Sequence, residues 1–226
     1  AEPFSQWVID DHFPTGRPAW ELEGAELVAD VRPYEFMKLR LLNGSHSCIA
    51  YLGYLAGHAT VSDAMADPHF ARFVRELMDE EVTPTLDVPP GADLSRYKAA
   101  LLERFANPAL KHRTWQIAMD GSQKLPQRLL GTIRDRLAAG RPFDRLALGV
   151  AAWMRYVGGR DEAGQPIDVR DPLADRLAAT PAPALFGVRE VFGDDLAGNP
   201  AFTTAVTRAY DRLVAVGARE TIQTIR

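Results

Sequence analysis

A lysine, an asparagine and a histidine stand close together in a segment whose other residues suit a helix. Lys38, Asn43 and His46 occur in Lys-Leu-Arg-Leu-Leu-Asn-Gly-Ser-His, where a helix interior would favour Ala, Leu or Glu over Asn, Gly and Ser. At about 100° per residue, Asn43 lies about 140° and His46 about 80° around the axis from Lys38, so one broad sector carries all three. A lysine can transfer a proton, and an amide or imidazole can hold an alcohol or carbonyl oxygen. The segment therefore predicts proton transfer at a bound oxygen. The alternative is a polar helix face in contact with solvent, in which Gly44 permits close helix packing.

A second group of polar residues surrounds an Asp-Gly-Ser turn at residues 120–122. Arg113 precedes this turn, Lys124 follows it, and Pro126 predicts the start of another helix. Basic side chains and the backbone amides of a helix N-terminus can together bind an anion. The group predicts a contact for a terminal carboxylate or a hydroxyl-rich chain; a plain helical corner, with Asp120 as its cap and Lys124 in solvent, fits equally.

The composition excludes several classes of protein. The 226 residues carry a formal net charge of −4, whereas a nucleic-acid surface needs clustered positive charge. No apolar run approaches the roughly 20 residues of a transmembrane helix. The five histidines and the single cysteine show no metal-ligand spacing, so no metal site is expected. We expect a cytoplasmic protein without nucleic-acid or membrane partners, in which Cys48 is a buried packing residue.

Hydrophobic patterning divides the chain into an extended lead-in, residues 1–33, and a helical body, residues 34–226. Residues 7–9 and 26–28 are short apolar runs separated by proline and glycine, which predicts two strands. Two short strands are not stable alone, so we expect them to complete a sheet formed by residues upstream of this sequence. Helices are predicted at 34–55, from Asp67-Pro68 through Leu77, and at 93–105, 112–119, 125–139, 143–156, 172–179, 184–192 and 200–216.

Two further groups of residues receive structural predictions. Trp153, Met154 and Tyr156 recur along an apolar stretch and are expected in the core. The acidic run at residues 79–81 is expected to be a solvated helix end. Neither group is expected to take part in chemistry.

Several segments, in order along the chain, resemble the polyol-specific long-chain dehydrogenases, the mannitol dehydrogenase family. The segment that begins at Lys38 contains Lys-x4-Asn-x2-His. Phe-Ser-Gln-Trp-Val-Ile at residues 4–9, Asp-Val-Arg-Pro-Tyr-Glu at residues 30–35 and His-Arg-Thr-Trp-Gln-Ile-Ala-Met-Asp-Gly-Ser-Gln-Lys-Leu-Pro at residues 112–126 also match. The resemblance spans nearly the whole chain, and several long motifs in order are far more specific than one three-residue spacing.

The resemblance implies a metal-independent hydride transfer between C2 of an open-chain sugar acid or polyol and a nicotinamide coenzyme, NAD or NADP. Lys38 would be the general acid/base on the reacting oxygen, which Asn43 would hydrogen-bond as alkoxide character develops. His46 would bind a neighbouring hydroxyl or orient Lys38. A free lysine has a pKa of about 10.4, so Lys38 would need burial or a nearby positive charge to work near neutral pH. Lys124 would contact the substrate, and Arg113 is a further candidate.

The family also implies a multi-helical C-terminal domain similar to that of 6-phosphogluconate dehydrogenase-like enzymes, preceded by a Rossmann domain. No Gly-x-Gly-x-x-Gly fingerprint of coenzyme binding occurs in this sequence. Residues 1–33 would then be the end of the nucleotide-binding domain, and residues 34–226 the substrate-binding and catalytic domain. We expect little dehydrogenase activity from the chain alone, and expect the upstream domain to choose between NAD and NADP.

The sequence at residues 112–128, 146–156 and 217–220 is most similar to the fructuronate reductase branch of the family. This similarity favours D-mannonate/D-fructuronate over D-mannitol/D-fructose, and a carboxylate substrate would suit Lys124. A function of another class, a non-catalytic helical domain for binding or dimerisation, is the alternative. Replacing Lys38 separates the two, because only the enzyme would lose turnover.

Overall fold

The computed structural model describes residues 6–225, and the protein is mainly α-helical, as predicted. Residues 1–5, which include part of the predicted lead-in and of the motif at residues 4–9, lie outside the described residues. The two strands are β1 (Val8–Asp10) and β2 (Glu26–Val28). The first helices are α1 (Arg32–Met37), α2 (Ser45–Leu55), α3 (Val61–Ala66), α4 (Pro68–Glu76), α5 (Leu94–Ala106) and α6 (Thr114–Ala118). The remaining helices are α7 (Gly121–Leu125), α8 (Gly131–Ala138), α9 (Asp144–Val157), α10 (Ala174–Ala179), α11 (Arg189–Ala197) and α12 (Pro200–Thr224).

The two predicted strands pair with each other in parallel. Val8 lies opposite Glu26, and Asp10 lies opposite Val28. Parallel pairs normally belong to larger sheets that helices cover on both faces, because each strand needs a crossover connection. The Tyr34 hydroxyl donates a hydrogen bond to the Glu26 carboxylate and so joins this pair to the helical body. That residues 1–33 end a nucleotide-binding domain stays a prediction.

Helix α9 is the centre of the helical body. Its residues from Arg145 to Met154 are all buried, and it packs against α2 and α12. A helix that is apolar nearly all round is typically covered on all sides. At Gly149, an added Cβ would lie 2.5 Å from the Cys48 Sγ of α2. Cys48 is therefore the buried packing residue that the sequence predicts, and the expected core position of Trp153 is confirmed as well.

Three segments between the α-helices are π-helical, with backbone hydrogen bonds to the fifth residue along instead of the fourth. They are π1 (Lys38–Gly44), π2 (Leu77–Val82) and π3 (Pro126–Leu130). Segment π1 continues α1 directly into α2, so the helix predicted at 34–55 is confirmed in extent but not in type. The segments π1, π2 and π3 pack together, π1 against both others. Such segments are rare and often mark functional sites.

Other predicted helices differ from the observed ones in their ends. The helix predicted to begin near Pro126 begins at Gly121, because α7, π3 and α8 form one continuous helical run. A proline ring clashes with the carbonyl of the residue four positions earlier, and the wider π turn that starts at Pro126 relieves this clash. The last helix continues to Thr224, past a break at Gly217 whose φ is +79°. Among the described residues no helix is both long and apolar enough to cross a membrane.

The acidic run at residues 79–81 is only partly the solvated helix end that the sequence predicts. Glu81 is 3% exposed and accepts hydrogen bonds from the backbone N–H groups of Arg145 and Leu146, both 2.8 Å. These N–H groups belong to the first turn of α9, where the helix itself provides no acceptor. Burial raises the pKa of Glu81 to about 7 despite these two bonds. The prediction is wrong for Glu81 because its carboxylate caps the central helix.

Candidate functional site

The first predicted group lies in and just after π1. Lys38 is exposed at the start of this segment and Asn43 is partly exposed near its end. Because the bonds of a π-helix join residues five apart, Lys38 and Asn43 lie about one helical turn from each other. An α-helix would instead have placed them about 140° apart around the axis. The π geometry therefore brings the two side chains nearer to one face than the sequence predicts.

Segment π1 is held in place from its opposite side. Arg40 is 8% exposed and donates from Nη1 to Asp135 Oδ2 at 2.5 Å and to the backbone oxygen of Thr85 at 3.0 Å. At Gly44, an added Cβ would lie 2.7 Å from the backbone oxygen of Arg128 in π3. The close helix contact that the sequence allowed at Gly44 is thus present. These contacts fix the backbone that carries Lys38 and Asn43.

His46 follows in the first turn of α2. Its ring lies 4.5 Å from the Phe105 ring and 5.8 Å from the His112 ring, measured between centroids. Its Nε2 is buried and has no hydrogen-bond partner among the described residues. Burial first, and then the nearby basic residues His112, Arg104 and Arg128, lower the pKa of His46 to about 3. At neutral pH the imidazole is therefore uncharged, which suits hydrogen bonding to a ligand more than proton uptake.

The side chains of Lys38 and Asn43 also lack polar partners. Neither side chain forms a hydrogen bond or an ion pair with any residue that the structure describes. A buried polar atom without a partner, such as His46 Nε2, is rare in folded proteins and calls for an explanation. Lys38 and Asn43 precede His46 on the same helical run and add two further side chains without a polar partner among the described residues.

Lys124 of the second predicted group lies near the end of the short helix α7. Its Nζ donates to the backbone oxygen of Met119 at 2.6 Å and lies 3.8 Å from Asp120 Oδ2. Burial, followed by the nearby charge of Arg128, lowers the pKa of Lys124. The ammonium group is thus partly used by the turn that precedes its helix, although a quarter of the side chain, 26%, stays exposed.

The helix N-terminus predicted to form part of an anion site does not lie at Pro126. The helical run starts at Gly121 and not at Pro126, so no free backbone amides are gathered at Pro126. At the actual N-terminus, Asp171 already accepts bonds from Ser122, from the backbone N–H at 2.8 Å and from the hydroxyl at 2.6 Å. This helix terminus is therefore satisfied by a carboxylate of the protein itself. Any anion must be bound by side chains.

Arg113 is exposed just before α6, in an isolated bridge with Thr60. The ring of the neighbouring His112 meets the His46 ring edge-on, at an interplanar angle of 80°. The start of the second motif therefore lies against the end of the first. The contacts of Arg113 itself do not test its predicted role. Its assignment as a substrate contact stays a prediction.

Arg128 is the residue of the site that sequence reasoning missed. It is partly buried in π3, and its Nη1 donates to Ser47 Oγ at 3.2 Å. Its backbone oxygen lies against Gly44 and its side chain bonds Ser47 next to His46, and its charge lowers the pKa of both His46 and Lys124. Its position four residues after Lys124, on one face of a helical run, is the signal that could have found it.

The described residues 6–225 contain no cluster of three or more His, Cys, Asp or Glu side chains that could hold a metal ion. The chemistry expected from Lys38 requires no metal. Metal independence nevertheless stays a prediction from the resemblance.

Comparison with known proteins gives consistent results at the level of family. A model of the mannitol dehydrogenase C-terminal domain matches residues 30–214. The chain is 54% identical to the uncharacterized oxidoreductase YdfI of Escherichia coli (strain K12) over 230 residues, 98% of this chain and 47% of that protein. It is 53% identical to D-mannonate oxidoreductase of the same organism over 229 residues, with the same shares covered.

Among solved structures, the fold matches mannitol 2-dehydrogenase of Pseudomonas fluorescens in a ternary complex with NAD and D-mannitol. The TM-score is 0.91 at 41% sequence identity, covering 98% of this chain and 46% of that chain. The chain thus spans about half the length of the curated relatives it matches, 47% in the case of D-mannonate oxidoreductase.

Proposed function

The chain belongs to the mannitol dehydrogenase C-terminal domain family, and from this membership we propose that it is the substrate-binding and catalytic part of a dehydrogenase of sugar acids or polyols. An upstream Rossmann domain would bind the coenzyme, and residues 1–33 would be the end of that domain. The relatives named above are oxidoreductases. The relative of known structure binds NAD, which supports NAD as the coenzyme here.

One observation carries the proposal: three unused polar groups occur together at a π-helical segment. Lys38 and Asn43 have no polar partner among the described residues, and His46 Nε2 is buried without one. Leaving a buried polar atom unpaired costs about 1–3 kcal/mol, so a ligand that pairs with it recovers this energy on binding. An open-chain polyhydroxy compound carries the required oxygens on adjacent carbons.

In the proposed mechanism, Lys38 takes the hydroxyl proton when the alcohol is oxidised and returns it when the ketone is reduced. Asn43 donates a hydrogen bond from its amide to the same oxygen, which stabilises the negative charge that develops there. His46, neutral at pH 7 because its pKa is about 3, hydrogen-bonds an adjacent hydroxyl and fixes the orientation of the reacting carbon. The proton therefore moves through Lys38 and not through the imidazole.

A bound nicotinamide would supply the hydride to the ketone or accept it from the alcohol. The residues of this chain fit a partner of that kind, because a proton donor and two hydrogen-bonding groups without a polar partner lie on one helical run. None of the described residues is assigned to coenzyme contact. The coenzyme site is proposed to lie mainly on the upstream domain.

We propose D-mannonate/D-fructuronate as the substrate pair, with D-mannitol/D-fructose as the alternative. The identity to D-mannonate oxidoreductase is 53%, against 41% to the mannitol 2-dehydrogenase of known structure. Arg128 bonds Ser47 next to His46, and Lys124 lies close to Arg128; a carboxylate would be bound by such positive charge. Lys124 is proposed as a substrate contact in this arrangement, and Arg113 as a further one.

The test is a substrate comparison with the enzyme that includes its nucleotide-binding domain. kcat/KM is measured with NADH for fructuronate, tagaturonate and fructose, and with NAD for mannitol. We expect fructuronate to give the highest value, and little or no turnover by the isolated 226-residue chain. Absence of turnover with all four compounds would refute the proposed function, and a preference for fructose or mannitol would refute the proposed substrate.

A further inference from the structure

Arg128 lies where the two polar groups of the site meet. Its backbone oxygen contacts Gly44 of π1, and its Nη1 donates to Ser47 Oγ in α2. These contacts hold the guanidinium group against the helix that carries His46. The other N–H groups of Arg128 make no hydrogen bond with the described residues.

The charge of Arg128 has no carboxylate partner within the described chain. Other buried or partly buried arginines nearby do have one: Arg40 pairs with Asp135 at 2.5 Å, and Arg134 pairs with Asp195 at 2.6 Å. Burial lowers the pKa of Arg128, and the only group that raises it is the Tyr51 hydroxyl. A partly buried guanidinium without a counter-ion is costly, because desolvation is not offset by attraction.

A second positive charge lies close to the unpaired charge of Arg128. Lys124 lies one turn earlier on the same helical run, and its own counter-ion, Asp120, is 3.8 Å away and 54% exposed. Arg128 lowers the pKa of Lys124, so the charged group beside it on this run is a like charge and not an opposite one. A neutral polyol can accept hydrogen bonds from these groups but cannot offset their charge. A carboxylate can do both, and it matches the planar N–H pair of a guanidinium.

We propose that Arg128 binds the terminal carboxylate of the substrate and thereby determines that this site takes sugar acids in preference to uncharged sugars and polyols. The proposal rests on the proposed function and names the residue that selects its substrate class. Lys124, already bound to Met119 and Asp120, contributes hydrogen bonds more than charge. Arg128 is a binding residue in this scheme and takes no part in proton transfer.

The experiment uses the enzyme with its nucleotide-binding domain and compares Arg128→Gln, Arg128→Lys and Arg141→Gln with the unaltered protein. Arg141 is an exposed arginine in the loop before α9, so its replacement controls for the loss of one positive charge. kcat and KM are measured separately for fructuronate and fructose. The urea midpoint of unfolding of each variant shows whether it is folded.

We expect Arg128→Gln to raise the KM for fructuronate by about ten- to a hundredfold, the range for loss of charge-assisted hydrogen bonds. Its kcat for fructuronate and its KM for fructose should change by less than about threefold. Arg128→Lys should recover part of the loss, since it keeps the charge without the paired N–H groups, and Arg141→Gln should behave as the unaltered enzyme.

An equal loss on both substrates, an unchanged KM for fructuronate, or an unfolded Arg128→Lys variant would each overturn the role of Arg128. Failure of the unaltered enzyme to reduce either sugar would instead overturn the proposed function. The two failures are thus distinguishable.

Discussion

The contact between π1 and π3 can be tested by adding one methyl group at Gly44. The backbone of Gly44 is helical, with φ −63° and ψ −50°, so alanine meets no conformational barrier there. Its Cβ, however, would lie 2.7 Å from the backbone oxygen of Arg128. A backbone atom cannot rotate away as a side chain does, so the two segments must separate.

The size of the effect follows from two opposing terms. Overpacking of a tight contact costs about 1–3 kcal/mol. Replacing glycine by alanine inside a helix returns about 1 kcal/mol. Gly44→Ala should therefore lower the free energy of unfolding by up to about 2 kcal/mol, which for a domain of this size lowers Tm by up to about 8 °C. Because the displaced segment carries Lys38 and Asn43, kcat should fall as well.

Thermal unfolding of Gly44→Ala is compared with that of Gly131→Ala, another helical glycine of the same body. At Gly131 the nearest atom to an added Cβ is 3.8 Å away, which is an ordinary contact. This control should keep or raise Tm, since only the gain in helix propensity applies. If Gly44→Ala were as stable as Gly131→Ala and fully active, the close approach of π1 and π3 would not be what requires glycine.

Two further predictions concern buried ionisable groups. The pKa of His46 is about 3 in the folded protein and about 6.5 in the unfolded protein. Between these pH values only the unfolded state takes up the proton. The free energy of unfolding therefore falls by up to about 1.4 kcal/mol per pH unit as pH drops below 6.5. His46→Gln should lack this slope in urea unfolding between pH 7 and pH 5; an identical slope in both proteins would contradict the burial of a neutral imidazole. Glu81→Gln removes one acceptor from the first turn of α9 and should cost about 1–3 kcal/mol in urea unfolding at pH 7. Glu80→Gln removes an exposed carboxylate from Arg145, which keeps its ion pair with Glu76, and should cost less than about 1 kcal/mol. Equal costs for Glu80 and Glu81 would refute the capping role.

The elements with strong local signals could be predicted from the sequence. Asp67 and Asp93 stand at predicted helix starts, and they cap α4 and α5, because an aspartate before an apolar helical stretch bonds the free N–H groups of the first turn. Helix α3 was missed although Thr60 and Asp63 form a capping box. Its six residues are too few to show helical periodicity.

The π segments could not be predicted in the same way. A π turn differs from an α turn by one residue, and no residue pattern marks it, since tertiary packing selects it. Here that packing includes Gly44 against Arg128 and Arg40 against Asp135. The grouping of Lys38, Asn43 and His46 was nevertheless recognisable from spacing and family resemblance, whereas the unpaired charge of Arg128 is visible only once its neighbours are known.

The proposed role of Lys38 as the acid/base group of a dehydrogenase is decided by comparing two lysine variants. kcat for fructuronate reduction is measured for Lys38→Ala and for Lys111→Ala in the enzyme with its nucleotide-binding domain. Both lysines are exposed, so neither change should shift the unfolding midpoint appreciably. We predict that Lys38→Ala lowers kcat by about 10²–10⁴-fold, while Lys111→Ala leaves it unchanged. If folded Lys38→Ala kept its kcat within about tenfold of the unaltered enzyme, Lys38 would not be the acid/base group.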